Sequence, residues 1–280
     1  MSETEPSNAV VKDAAQYPAC LSVVIPVYNE GATLEEVVVK LLAVPCLLEV
    51  IIVDDCSSDK TADVARLLSD KYPQVRSVRH ERNSGKTAAL RTGFAMTSGD
   101  IVIVQDADLE YDPADIYGVI RPILEGHADV VFGSRFLVRR AARVLYFYHF
   151  LANKFLTFLS NALTNLNMTD IETGYKAFRG DIIRNLVITS SGFGFEVEVT
   201  AKIAKLKVAI YEVPISYYGR TYDEGKKIVL LDGLIALWLV LRFNLFCSLR
   251  SSFRQVPELG YKPNRLPVGA EQPVAMEPRR

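Results

Sequence analysis

The sequence predicts an α/β domain built on a mostly parallel central sheet flanked by helices. Three observations lead there. Short runs rich in Val and Ile recur through the first half of the chain, as strands buried on both faces require. Between them lie longer stretches with apolar residues at helical spacing. Strand and helix then alternate in order, the pattern of parallel strands joined by helical crossovers.

The elements follow in sequence. LSVVIPV (Leu21 to Val27) is the first strand, and TLEEVVVKLLA the first helix. LEVIIVD (Leu48 to Asp54) and VRSVRH (Val75 to His80) are the next strands, separated by the helical DKTADVARLLSDKY. GKTAALRTGFAMTSG forms the third helix, DIVIVQD (Asp100 to Asp106) the fourth strand, DPADIYGVIRPILEG the fourth helix and DVVFGS (Asp129 to Ser134) the fifth strand. Ser58, Ser84 and Asp112 stand where helix caps are expected. Ligands of such sheets bind at the carboxyl ends of the strands. PVYNEG (Pro26 to Gly31), DDCSSD (Asp54 to Asp59), ERNSGKTAA and the acidic run after Val104 are therefore expected to face one crevice.

Composition narrows the function. The 280 residues are 49% hydrophobic and 23% charged, with a formal net charge of -1, which gives no basic footprint for nucleic acid. Four cysteines lie far apart without CxxC or Cys/His spacing, so neither a zinc site nor a disulfide framework is indicated, and a reducing cytoplasmic setting is the simpler expectation. The N-terminus lacks a basic start followed by an apolar run. Residues 1–19 read as a mobile tail, 20–247 as the folded domain, and the proline-containing 248–280 as a second tail. Within the domain, a first half of about 20–135 is expected to hold one substrate and a second half of about 136–247 the other.

SGKT at Ser84 to Thr87, with an apolar strand ending in Asp106, imitates a P-loop nucleotidase. The loop needs glycine at position 80, where His80 stands, so the backbone cannot form the phosphate nest.

SVVIPVYNEGATL, EVIIVDDCSSDKT, RNSGKTAALRTGFAMTSGDIVIVQDADLE and GSRF, in that order, resemble the successive motifs of family 2 glycosyltransferases of the nucleotide-diphosphosugar (GT-A) fold. The match is closest to the dolichyl-phosphate mannose synthase branch and its bacterial polyprenyl-phosphate relatives, and it runs from about Leu21 to about Phe246. The resemblance implies that Asp106, Asp108 and Glu110 form the metal motif, with glutamine more usual at the last position. It implies that Pro26, Tyr28, Glu30, Asp54 and Asp55 hold the base and ribose, with Lys86 and Asp106 beside the phosphates. Arg135 would lie near phosphate, and Arg220 with Lys226 or Lys227 would belong to a basic segment that closes over the phosphates. On the acceptor side, Arg139, Asp170, Thr173, Lys176 and Glu196 are candidates, while Glu172 and Tyr175 depart from the commoner DPTSGFRAF-like form.

Physical chemistry gives this set a purpose. A nucleoside diphosphate cannot rest beside aspartates unless a divalent cation lies between them, and hard oxygen ligands suit Mg²⁺ or Mn²⁺. Alternation along an extended segment puts Asp106, Asp108 and Glu110 on one side. Simpler roles stand beside these: solvated loop carboxylates, Asp112 capping before Pro113, Asn29 and Glu30 opening a helix, Asp55 capping a turn, and Lys86 as a solvated helix-start lysine.

The acceptor follows from charge. A phosphate is already an anionic nucleophile near neutrality, because its second pKa is about 6, so it needs no strong base. A hydroxyl needs one, for which Asp170, Glu172, Glu196 or Glu198 would serve. The lone tryptophan, Trp238, lies in IALWLVLRF and not in the QxxRW motif of processive synthases. The expected reaction is metal-dependent, inverting transfer of a mannose- or glucose-type hexose from a GDP- or UDP-linked donor to a dolichyl or undecaprenyl phosphate. The alternatives are transfer to a hydroxyl in cell-wall or surface-glycan synthesis, and a non-catalytic nucleotide-binding subunit. Ile228 to Phe246 approaches the length of a membrane span but is interrupted by Asp232, Gly233, Arg242 and Asn244. That stretch and Val144 to Leu166 resemble interfacial helices, with packing on the sheet as the alternative. A peripheral enzyme on the cytosolic face of the membrane is expected.

Overall fold

A computed structural model describes residues 17–137, 146–219 and 230–257, without the side chains of 230–232. Four parallel strands, β1 (Leu21–Val27), β2 (Leu47–Asp54), β3 (Val75–Arg79) and β4 (Ile101–Val104), make one half of a seven-stranded sheet. β1 is buried along its whole length and β2 from Glu49 onward, which explains their unbroken apolar runs. α1 (Leu34–Leu41), α2 (Thr61–Lys71), α3 (Lys86–Met96) and α4 (Ile116–Leu124) supply the crossovers and flank the sheet. Asp112 caps the 3₁₀ turn Pro113–Asp115 ahead of α4, accepting from the Ala114 N–H at 3.0 Å. Ser58 and Ser84 do not cap. Asp59 does that work for α2, accepting from the Thr61 N–H at 2.9 Å, while Ser84 gives its N–H to Asp55.

The other half departs from a simple doubly wound order. The strands run β3-β2-β1-β4-β6-β5-β7, where β5 is Val130–Ser134, β6 Lys176–Arg179 and β7 Ile210–Pro214. β6 lies antiparallel between β4 and β5, and β7 pairs parallel with β5. The helices of this half are α5 (Phe147–Thr164), α6 (Gly180–Asn185), α7 (Phe195–Ala204), α8 (Leu230–Leu245) and α9 (Leu249–Ser252). One apolar cluster joins both halves, bringing Val24, Phe94 and Val102 together with Phe132, Phe178 and Phe195. Residues 248–257 are folded rather than a tail: Ser248 caps α9, and Phe253 is buried and bridges to Leu186. Tyr17, in the expected N-terminal tail, packs against the core, and residues 1–16 and 258–280 lie outside the described residues.

At the amino ends of the strands, Glu49 is buried and accepts from the Ser22 hydroxyl at 2.8 Å and from the Ser98 N–H and hydroxyl at 2.7 Å each. Arg76 pairs with it at 3.1 Å. Burial opposes its charge, but these donors prevail and hold its pKa below the usual carboxylate value. This end of the sheet is braced, which leaves the carboxyl ends to the site.

Candidate active site

The ends of β1, β2 and β4 and the loop after β3 open onto one cavity of about 600 Å³. Pro26, Tyr28, Glu30, Asp55, Lys86, Asp106, Asp108 and Glu110 all line it. The strand-end reading thus brings together most of the residues assigned to donor and metal. Gly192, Phe193 and Tyr217 complete the lining from the second half. The sequence pointed to none of these three, although the glycines of GFGF mark a loop that can approach another backbone closely. That approach is real: the Gly192 carbonyl accepts from the Thr87 N–H at 3.0 Å and its hydroxyl at 2.9 Å.

Asp55 is buried and committed to the protein. Its carboxylate accepts from the Ser84 N–H at 3.0 Å, the Gly85 N–H at 2.6 Å and His80 Nδ1 at 2.7 Å. His80 Nε2 lies 2.9 Å from the Thr92 hydroxyl. The residue that breaks the P-loop pattern therefore clamps the turn before α3. Asp54 does not line the cavity. It accepts from the Ser57 N–H at 3.0 Å and pairs with Arg79 at 3.2 Å.

The acidic run does not continue the strand. β4 ends at Val104, residues 107–108 turn and 109–110 bend, and Leu109 adopts φ 60°. Alternation therefore fails as the reason for three carboxylates on one side, and among the described residues no three His, Cys, Asp or Glu side chains converge as a metal cluster. Asp106 is paired with Lys86, whose Nζ lies 2.9 Å and 3.0 Å from its two oxygens and 3.2 Å from Glu196. Burial works against the ammonium charge, but the Asp106 and Glu196 carboxylates outweigh it and hold the Lys86 pKa well above its usual value. Asp108 accepts from the Glu110 N–H at 3.1 Å, and Glu110 accepts from the Tyr217 hydroxyl at 2.8 Å. Asp106 and Asp108 remain on the cavity wall, and two carboxylates completed by phosphate and water suit Mg²⁺-type coordination.

Arg135 and Asp170 meet just behind the cavity lining, with Arg135 against the Tyr217 ring. Two guanidinium nitrogens donate to the two Asp170 oxygens at 2.7 Å and 2.8 Å, a bidentate pair with Asp170 fully buried. The expected phosphate arginine is thus occupied as an internal brace. Lys176 is also buried, donating to the Ile171 carbonyl at 3.0 Å and to the Thr173 carbonyl, and burial brings its pKa down to about 8. Thr173 is buried with no hydrogen-bond partner at its Oγ1. Burial, then repulsion from Glu196, pushes Glu172 up to about 7. Glu198 is taken by the Thr189 and Ser190 N–H groups at 2.8 Å and 2.7 Å and by Lys202. Arg139, Arg220, Lys226 and Lys227 lie outside the described residues.

Comparison with known proteins bears on this geometry. The family model described as Glycosyl transferase family 2 matches residues 22–187. A dolichol-phosphate mannosyltransferase of Pyrococcus furiosus is 33% identical over 210 residues, 74% of this chain and 58% of that protein. An undecaprenyl-phosphate mannosyltransferase of Micrococcus luteus is 30% identical over 213 residues, 72% of this chain and 85% of that protein. The chain thus spans little more than half of the first relative's length and most of the second's.

Among solved structures, glucosyl-3-phosphoglycerate synthase of Mycobacterium tuberculosis in complex with uridine diphosphate superposes with a TM-score of 0.64 at 21% identity, covering 87% of this chain and 86% of that one. The same enzyme with Mn²⁺, uridine diphosphate and phosphoglyceric acid gives 0.61 at 22%, covering 89% and 86%. These likenesses establish the GT-A fold, with its mostly parallel sheet between helices. By the extent of the family match and the identity to these relatives, the chain belongs to glycosyl transferase family 2.

Proposed function

We propose that the chain transfers a hexosyl group, of mannose or glucose type, from a GDP- or UDP-linked donor to a polyprenyl phosphate with inversion at the anomeric carbon. The two relatives named above act on dolichol phosphate and undecaprenyl phosphate by their names, which supports this acceptor class. One observation favours it over a hydroxyl acceptor. None of the four carboxylates named above as candidate bases for a hydroxyl, Asp170, Glu172, Glu196 and Glu198, lines the cavity. Asp170 is locked to Arg135, Glu196 to Lys86 and Glu198 to Lys202. Glu172 has an enclosed oxygen without a partner. An acceptor that arrives as an anion requires none of them.

The residues present fit a divalent cation, Mg²⁺ or Mn²⁺, with Asp106 and Asp108 as the side chains that would hold it. Bound there, it would neutralise charge gathering on the departing nucleoside diphosphate. The chain's own contribution is positioning and exclusion of water. Tyr28 and Phe193, both exposed at the rim, offer aromatic faces to the base. Glu30 and the turn clamped by Asp55 shape the donor side, and Lys86 supplies positive charge beside the diphosphate. Tyr217 holds Glu110 and so fixes the loop that carries Asp108.

Membrane attachment on the cytosolic face belongs to the same reading. α5 and α8 pack together and bury Leu156, Val240 and Phe243, yet each also shows an apolar face to solvent. Tyr148 is 82% exposed, Phe158 70% and Trp238 57%. Among the described residues no helix is long and apolar enough to cross a membrane, so these aromatic faces suit insertion into the interfacial region. The deciding experiment supplies purified protein with Mg²⁺ or Mn²⁺, radiolabelled GDP- and UDP-hexoses and a short-chain polyprenyl phosphate, and extracts label into organic solvent. Metal-dependent label in that phase is the expected result. An empty organic phase with every donor, while donor binding is demonstrated, would overturn the reading.

A further inference from the structure

The contacts of Lys86 go beyond a phosphate-binding lysine. Its ammonium spans both Asp106 oxygens at 2.9 Å and 3.0 Å and also reaches Glu196 Oε1 at 3.2 Å. Gly174 makes room for this carboxylate, because a Cβ added there would come within 2.6 Å of Asp106 Oδ2. Asp106 and Lys86 both line the cavity, so the carboxylate is reached from there, and that is where the ammonium stands. A cation that takes Asp106 as ligand meets Lys86 there. Two positive charges cannot share one carboxylate closely in a poorly hydrated site. Glu196, from the first turn of α7, supplies a second anion that lets the ammonium leave Asp106 without being stranded.

We propose that Lys86 is the resident counter-ion of Asp106 and changes partner on donor entry, releasing Asp106 to the divalent cation and passing to the diphosphate while Glu196 retains it. A flexible four-carbon stem and three donors allow one lysine to hold a carboxylate and a phosphate together. This inference rests on the proposed metal-dependent transfer at the same site. Its consequence is linkage: diphosphate draws the ammonium away and so strengthens cation binding, and the cation strengthens diphosphate binding by the same factor.

The test measures Mn²⁺ affinity by electron paramagnetic resonance, with and without UDP or GDP, in the wild type, Lys86→Met and Glu196→Gln. In the wild type, nucleoside diphosphate is expected to tighten Mn²⁺ binding by about tenfold or more, within the usual range of coupling between sites. Lys86→Met should bind Mn²⁺ alone several-fold more tightly than the wild type, and nucleotide should then add less. Glu196→Gln leaves Lys86 only Asp106 as a carboxylate partner, so Mn²⁺ alone should bind more weakly. Thermal unfolding checks that each variant is folded, and if Lys86→Met is not, the direction of the Glu196→Gln shift decides. Unchanged or weaker binding of Mn²⁺ alone by folded Lys86→Met, or unchanged or tighter binding by Glu196→Gln, overturns the exchange and leaves the metal site standing. Failure of the wild type to hold Mn²⁺ even with nucleotide overturns the exchange and the metal site together.

Discussion

Replacing Asp170 with alanine is expected to cost about 3–5 kcal/mol of stability, the usual penalty for stranding one partner of a buried ion pair. The magnitude follows from what Asp170 holds. Its carboxylate is fully buried and accepts from Arg135 Nε at 2.7 Å, Nη2 at 2.8 Å and the backbone N–H at 3.2 Å, and from Asn153 at 3.2 Å. The Arg135 side chain is itself only 13% exposed and lies 5.2 Å from the Tyr217 ring centre, so the guanidinium has little water to turn to. For a chain of this size the loss corresponds to a fall in Tm of roughly 6–20 °C.

Calorimetry or circular dichroism would read it at low and high salt, and the fall should persist in high salt because enclosed charges are weakly screened. The pH dependence has a definite sign. Burial raises the Asp170 pKa, but Arg135 more than compensates and leaves it lowered. The pair's contribution is thus present above the usual aspartate value of about 3.9 and fades as pH falls through the lowered folded value. An alanine variant within about 2 °C of the wild type would refute the brace by the same conversion. So would an Arg135→Met variant of normal stability that had lost transfer, since the arginine would then belong to the reaction.

Three further outcomes are expected. Asp108→Ala should lower metal-dependent turnover by about 10²–10³-fold, the scale of losing one preorganised charge-stabilising group, and full activity in the transfer assay would remove Asp108 from the metal site. Gly85→Ala places a Cβ 3.1 Å from the Gly192 Cα and nitrogen at a φ of 87°, so it should cost about 1–3 kcal/mol and weaken donor binding by calorimetry; wild-type values for both would show that the turn before α3 tolerates a side chain. Glu172, raised to about 7 by burial and by Glu196, binds its proton more tightly when folded, so its contribution to stability falls as pH rises from about 4.5 to about 7. Glu172→Gln should flatten that part of the profile of denaturation midpoints, and parallel curves for the two proteins would rule out the raised pKa.

Four of the first five strands were legible because each is a short, buried apolar run, whereas β3, VRSVR, is mostly exposed and was legible from its place in the strand and helix alternation. KAFR and IYEVP carry no such signature. β6 includes the buried charge of Lys176, and β7 is only partly buried. The crevice was legible from the strand ends, and Tyr28, Glu30, Lys86, Asp106 and Asp108 do meet there. What misled was local extrapolation. The alternation rule was carried past Val104, where the chain leaves the sheet. Arg135 and Asp170 were read separately because their pairing across 35 residues depends on the insertion of β6 beside β5. Asp59 was passed over as a cap because Ser58 stood beside it, and the choice turns on a backbone direction that spacing does not encode.

The place of β6 also sets a timetable for folding. β4 pairs with β1 on one edge, and its other edge is covered only when Lys176–Arg179 returns antiparallel to it. On a ribosome adding about 5–20 residues per second, the chain from Gln105 to Arg179 takes roughly 4–15 s to appear. During that interval four parallel strands can assemble while IVIV offers a row of open backbone groups, the kind of edge that recruits foreign strands. Chaperone dependence should therefore concentrate in this window. A nascent chain stalled near Ser134 should bind a holdase that one stalled well past Arg179 has released.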